Sequence, residues 1–187
     1  MFKRAHTRQA EALDEAARRL YGAVVAQARR PAFYRHLGVP DSLDGRFELI
    51  VLHAFLLFHR LKRDHAESEA LSQAVFDLLF LDMDQSLREM GVGDLGVGKR
   101  IKQMVQAFYG RVAAYDGGLA GGPGELEAAL ERNLYGTVSP DSAQVGAMAG
   151  YLRDQEALLA EQAIADLVAG ELSFGEAPES LAVSCPE

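Results

Sequence analysis

The chain contains no tryptophan, a single cysteine and no long uninterrupted apolar run. The cysteine, Cys185, stands alone near the C-terminus, so neither a disulfide framework nor a cysteine zinc site is available. The greasiest stretch, residues 49–58, is ten residues long and is broken by His53. It falls short of the ~20 residues a helix needs to cross a bilayer. The first twenty residues hold no continuous apolar segment with a small-residue cleavage site, which argues against a secretory signal and for a cytoplasmic protein. Basic residues are scarce late in the chain: residues 116–187 carry two arginines against thirteen acids, a balance of −11. Residues 1–36 carry eight Lys/Arg against three acids, a balance of +5, within a whole of −8. The acidic third excludes a broad basic footprint for DNA. The basic end suits long-range attraction to an anionic lipid surface or ribosomal RNA.

What is present is helical periodicity. Leu13, Ala17, Leu20, Val24 and Ala28 recur at three- and four-residue steps, with Asp14, Glu15, Arg18 and Arg19 between them. This predicts a basic N-terminal helix over 8–29, ended by Pro31. A turn-rich link follows, LGVPDSLDGR. Further helices are expected over 47–62, the most enclosed element, then 69–90, 97–115 and 126–135. A long last helix over 140–169 is expected to be capped by Ser139 ahead of Pro140. No segment alternates with a period of two. The fold class is all-α: a single domain over 1–170, core 33–136, six or seven helices, and a flexible acidic tail over 171–187.

Between the third and fourth long helices stands GVGDLGVGKR. Gly91 to Gly96 matches GxGxxG, and Gly93 to Lys99 matches the first seven positions of a P-loop. Both fingerprints require a strand before the glycines, and here a helical pattern precedes them. The P-loop also needs Ser or Thr after its lysine, where this chain has Arg100. A helix-ending glycine followed by a tight turn explains the same letters. A nucleotide- or phosphate-binding enzyme is the alternative this motif keeps open, and a membrane-surface adaptor built on the basic first helix is another.

On the helix over 97–115, a 3.6-residue repeat gathers Ile101, Met104, Val105, Phe108, Val112 and Tyr115 on one face. Arg100 and Arg111 border one edge of that stripe, and Lys102 and Tyr109 the other, so these four are candidates to meet a partner. His53, His59 and His65 point about 120° apart and converge on no metal. His53 and Arg60 share one line of their helix, where a buried histidine– or arginine–carboxylate contact is expected to fix packing. Asp84 and Arg88 read as an i,i+4 salt bridge. There is no GxSxG elbow and no catalytic constellation, so no enzyme, cofactor or metal is expected.

Three stretches, 33–62, 82–115 and ALERNLYG at 129–136, together resemble the ubiquinol–cytochrome c chaperone family. The resemblance covers more than half of the chain. It implies an all-α, non-enzymatic assembly factor for respiratory complex III that binds newly made cytochrome b, with ribosome association near the tunnel exit. The basic first helix, for its part, suits peripheral contact with the inner membrane from the cytoplasmic side. Carried over position by position, it singles out Arg46, Phe47, His53 and Arg60 in the first stretch. In the second it singles out Asp82, Arg88, Met90, Asp94, Lys99, Lys102, Phe108, Tyr109, Gly110 and Tyr115, and in the third Arg132 and Asn133. The chain departs from mitochondrial members in lacking a targeting extension and tryptophan; Phe55 stands where they tend to have Trp. A chaperone for so apolar a client should present an apolar patch, drawn from the surface members of Phe47, Phe55, Phe58, Phe76, Phe80 and Tyr109.

Overall fold

A computed structural model describes residues 2–178. The described residues form six helices of nine residues or more and two five-residue ones, with no strand among them. In chain order these are α1 (Phe2–Ala28), α2 (Pro31–Arg35), α3 (Leu43–Lys62), α4 (His65–Glu89), α5 (Asp94–Ala120), α6 (Glu125–Asn133), α7 (Ser142–Ala160) and α8 (Ile164–Val168). The all-α expectation holds.

Helix α3 is the axis of the molecule. Thirteen of its twenty residues are buried, because α1, α4, α5 and α7 pack around it. It starts one turn earlier than the 47–62 pattern predicts, since the Ser42 hydroxyl accepts the Gly45 N–H at 3.1 Å and closes the first turn. Helices α1 and α4 pack on each other, α5 lies against α4 and α6, and α8 closes onto α1 and α4. The apolar face predicted for α5 is confirmed: Phe108 and Tyr115 are buried, with Ile101, Met104, Val105 and Val112 packed on the core.

Other boundaries also differ from the sequence reading. Helix α5 runs through Gly117 and Gly118 instead of stopping there. The reason is tertiary: a Cβ on Gly118 would lie 2.8 Å from the Leu126 Cα, so this glycine is where α6 crosses closely, not where α5 ends. The expected last helix is two, broken after Ala160, and the buried Arg60 guanidinium occupies the break. Its Nε donates to the Leu159 carbonyl at 3.0 Å and its Nη2 to the Gln162 carbonyl at 2.8 Å. The cap of α7 is Asp141, not Ser139. Its carboxylate accepts the Ala143 N–H at 2.9 Å, while the Gln144 side chain accepts the Asp141 N–H at 3.1 Å, a capping box. Asp141→Ala should therefore cost about 1 kcal/mol in a urea titration, with the slope unchanged. A loss below ~0.3 kcal/mol would mean the cap contributes nothing.

Residues 171–178, expected to belong to the tail, are packed on the core. They form no helix or strand and lie against α7 and α1 as a strap, with Ala177 buried and Leu172 and Phe174 packed on the core. Gln162 holds Ser173 through both backbone groups, at 2.7 and 3.1 Å. Gln155 accepts the Gly175 N–H at 2.7 Å, and Gln27 donates to the Gly175 carbonyl at 2.8 Å. The rest of the predicted tail, 179–187, lies outside the described residues, as does Cys185.

Candidate functional site

Where the first turns of α3 meet the last turns of α4, two concavities adjoin. They share Leu43, Phe47, Met83 and Ser86. The first, about 620 Å³, is walled by α4, α5 and the end of α6. The second, about 770 Å³, opens toward the end of α1 and α2. The half-buried Phe47 is common to both and makes them neighbouring parts of one groove.

The floor of the first chamber is an ion pair. Both oxygens of the Glu48 carboxylate accept from Arg111 in a bidentate pair, and Arg111 Nη1 also reaches the Ala107 carbonyl at 3.2 Å. Glu48 is buried, and that burial pushes its carboxyl upward in pKa, with Arg111 opposing the shift. Three of the five methionines, Met83, Met90 and Met104, line the walls. Unbranched thioethers adapt to irregular apolar partners. Exposed Arg100 and Arg132 stand at the mouth, with no ion pair among the described residues. Leu43, 58% exposed, and Met90, 48% exposed, complete an apolar lip.

The residues expected to meet a partner thus divide. Phe47, Arg100, Arg111, Arg132 and Asn133 line the first chamber, and Arg46 with Phe47 lines the second. Arg111 differs from the reading of a free edge residue, because it is turned inward and spent on Glu48. Asn133 is tied by its Nδ2 to the Ala129 carbonyl at 2.8 Å. Arg88 and Asp94 pair with each other, and Arg88 with Asp84, so they staple the α4–α5 turn. The Asp84–Arg88 pair is the one the spacing predicts. Lys99, Lys102 and Tyr109 line neither chamber; Tyr109 packs its ring against Phe76 at 5.9 Å.

His53 and Arg60 lie in the interior. Arg60 has the carboxylate partner expected of it, Asp64. His53 does not. Its Nδ1 is 2.7 Å from the Leu49 carbonyl and its Nε2 is 2.9 Å from the Tyr151 hydroxyl. Gln27 Nε2 donates to that hydroxyl at 2.8 Å, so the tyrosine donates to Nε2 and the ring carries its proton on Nδ1. The rings of Phe33, Tyr151 and Phe174 enclose the imidazole. Burial pulls its pKa down to about 4. A neutral hydrogen-bonded histidine satisfies this site without a carboxylate, so of the two contacts expected on this line the arginine one is formed and the histidine one is not. Of the aromatic candidates for an exposed patch, Phe55 and Phe80 are core, Phe47, Phe58 and Phe76 are half-buried, and Tyr109 is exposed.

The glycine-rich segment is a helix junction. Gly91 follows α4 in the left-handed region at φ +81°, Gly93 caps α5, and residues 94–100 are already helical. No loop of free N–H groups remains to wrap a phosphate. Sequence reasoning missed the methionine walls and Glu48. The signal for Glu48 was a lone acid in the most apolar helix; the methionines come from two helices whose crossing no local pattern encodes.

Comparison with known proteins agrees with this architecture. Residues 35–174 match the profile of the family described as ubiquinol-cytochrome C chaperone. A crystal structure of the Cbp3 homolog from Brucella abortus superposes with a TM-score of 0.85 and 36% identity, covering 95% of this chain and 98% of that one. Ubiquinol-cytochrome-c reductase complex assembly factor 1 of Xenopus laevis is 25% identical over 140 residues, 75% of this chain and 70% of that protein. Its human counterpart is 26% identical over 160 residues, 85% of this chain and 54% of that protein. Protein CBP3, mitochondrial, of Saccharomyces cerevisiae is 27% identical over 146 residues, 76% of this chain and 44% of that protein. The chain spans about half the length of these last two relatives. It belongs to the ubiquinol–cytochrome C chaperone family.

Proposed function

We propose that this member of the ubiquinol–cytochrome C chaperone family is a non-enzymatic chaperone. Its client is newly made cytochrome b, held in the methionine-walled groove during assembly of ubiquinol–cytochrome c reductase. The observation that carries the reading is the first chamber itself. It is apolar, adaptable and rimmed by Arg100 and Arg132, and it is built from all three stretches that resemble the family.

A groove between helices is a receptor for an apolar or amphipathic helix, whose side chains fill it at i, i+3 and i+4 spacing. Apolar burial supplies the affinity, and the arginines set orientation by favouring acidic loops at the client's ends. The Glu48–Arg111 pair keeps the floor polar but internally satisfied, so it neither attracts nor repels a client charge strongly. Hold and release need no nucleotide cycle, and the next assembly step displaces the client. The same work brings the protein to the ribosome making cytochrome b and to the cytoplasmic face of the inner membrane. No described helix is long and apolar enough to cross a membrane.

The test is site-specific photo-crosslinking in the native host. A photoreactive residue at Gln103, in the chamber wall, should capture cytochrome b; one at Gln73, on the outer face of α4, should not. Arg100→Glu with Arg132→Glu should lower the yield at position 103 about tenfold, a loss of ~1.4 kcal/mol. Equal capture from both positions, or normal cytochrome b content in cells lacking the protein, would refute the assignment.

A further inference from the structure

The second chamber differs from the first in its charge and in what surrounds it. Arg29 follows the end of α1, Arg35 ends α2 and Arg46 lies in the second turn of α3, and all three line its rim. Three separate elements therefore bring guanidinium groups to one opening. Two carboxylates also reach it, so the three guanidinium groups outnumber them by one. Asp41 holds Arg46 at 2.8 Å, and Asp82 accepts the Tyr21 hydroxyl at 2.6 Å. Arg29 and Arg35 are exposed and make no ion pair among the described residues. Beneath them the floor is apolar: Phe47, Ile50 and Met83.

An arginine rim above an apolar floor matches an amphiphile with an anionic head and a hydrocarbon body. Arginine forks suit the oxygens of a phosphodiester, and the floor suits an acyl chain. The surroundings select for it as well. Residues 1–36 hold a balance of +5 in a protein of −8, so a negatively charged membrane attracts the part of the chain that carries Arg29 and Arg35 and repels the acidic C-terminal third.

We infer that the second chamber binds the headgroup of an anionic phospholipid, docking the protein on a membrane with the groove facing the bilayer. This goes beyond client binding, and it gives that groove a geometry. Phe47 and Met83 are shared by both chambers, so a helix leaving the first would pass directly along the lipid in the second.

The full chain is floated with vesicles of phosphatidylcholine, with and without phosphatidylglycerol, at physiological ionic strength. Binding should require phosphatidylglycerol. Arg29→Glu with Arg35→Glu should weaken it by more than about tenfold, as expected for reversing two surface arginines at a lipid interface. Arg8→Glu with Arg18→Glu changes the net charge equally outside the chamber and should weaken binding by no more than about threefold by long-range screening alone. Equal losses in the two variants would reduce the effect to diffuse charge and overturn the site. Soluble dihexanoyl phosphatidylglycerol should shift amide resonances around Tyr34, Arg46 and Ile50 saturably; shifts spread along α1 would overturn it too. Competition by glycerol 3-phosphate as strong as by the lipid would assign the site to a soluble phosphate. Retained vesicle binding with lost cytochrome b crosslinks in the Arg29/Arg35 variant would assign the arginines to an acidic protein segment. The lipid arm can fail while crosslinking from position 103 persists, so the two readings fail separately.

Discussion

Replacing Arg111 with methionine should destabilise the fold by about 3 kcal/mol, more than most single changes reach. The substitution keeps the length and apolar stem of the side chain, so little packing is lost. It leaves the Glu48 carboxylate in a site where it is 9% exposed and has lost its bidentate partner. Burial already raises the Glu48 carboxyl even with arginine present, and without it the group is driven to take up a proton. The single mutant's deficit relative to the wild type should therefore be smaller at pH 5 than at pH 7, because a raised carboxyl pKa adds stability as pH falls toward it. The double variant Arg111→Met with Glu48→Leu should recover most of the loss, since an apolar pair of matching volume avoids the desolvation of both charges. Urea unfolding of the four proteins of this cycle provides the measurement. Additive losses, or a single-mutant loss under ~1 kcal/mol, would show that the pair is solvated and not structural.

The second large effect is acid sensitivity set by one histidine. His53 titrates near 6.5 when unfolded, and its folded pKa is pushed down to about 4. A depressed histidine pKa means the fold prefers the neutral ring, so its stability is complete above the unfolded pKa. That contribution is lost as pH falls from about 6.5 toward 4. Between pH 7.5 and pH 5.0 the loss from this residue is about 2 kcal/mol, most of what the full shift supplies. The raised Glu48 carboxyl acts with the opposite sign as pH falls, so the wild-type curve alone understates the histidine. His53→Gln keeps a polar side chain in reach of Tyr151 while removing the titration. Its denaturation midpoint should be lower at neutral pH, yet should fall less than the wild type's on acidification. Parallel curves for the two proteins would mean that His53 is not the titrating group. Phe174 lies on the histidine ring, so the strap over 171–178 should loosen first, visible as faster exchange of the Gly175 amide.

These two residues show what reading along the chain can and cannot reach. His53 stood out as a polar interruption of the most apolar helix, and its burial followed from that helix's own composition. Its partners did not follow: Tyr151 lies 98 residues away and Gln27 reaches the same hydroxyl from another helix. The carboxylate contact expected of either His53 or Arg60 is made by Arg60, while His53 takes a hydroxyl and a backbone carbonyl. Arg111 was placed correctly at the edge of the α5 stripe. Whether an edge residue turns outward or inward depends on what the neighbouring helix offers, and Glu48 is 63 residues distant.

By itself the sequence determined the helical class, the position of the enclosed α3, the inward face of α5, the Asp84–Arg88 staple and the family. All of these rest on local periodicity, short spacing or recognisable wording, which a chain carries wherever its other parts lie. Tertiary structure decided the rest. It carried α5 past two glycines because α6 needed close approach, and broke the last helix where Arg60 took up its carbonyls. It fastened residues 171–178 with three glutamine side chains and set the ends of α1, α2, α3, α4 and α6 around one groove. Those outcomes depend on pairings between residues distant in the chain, for which no period exists to be read.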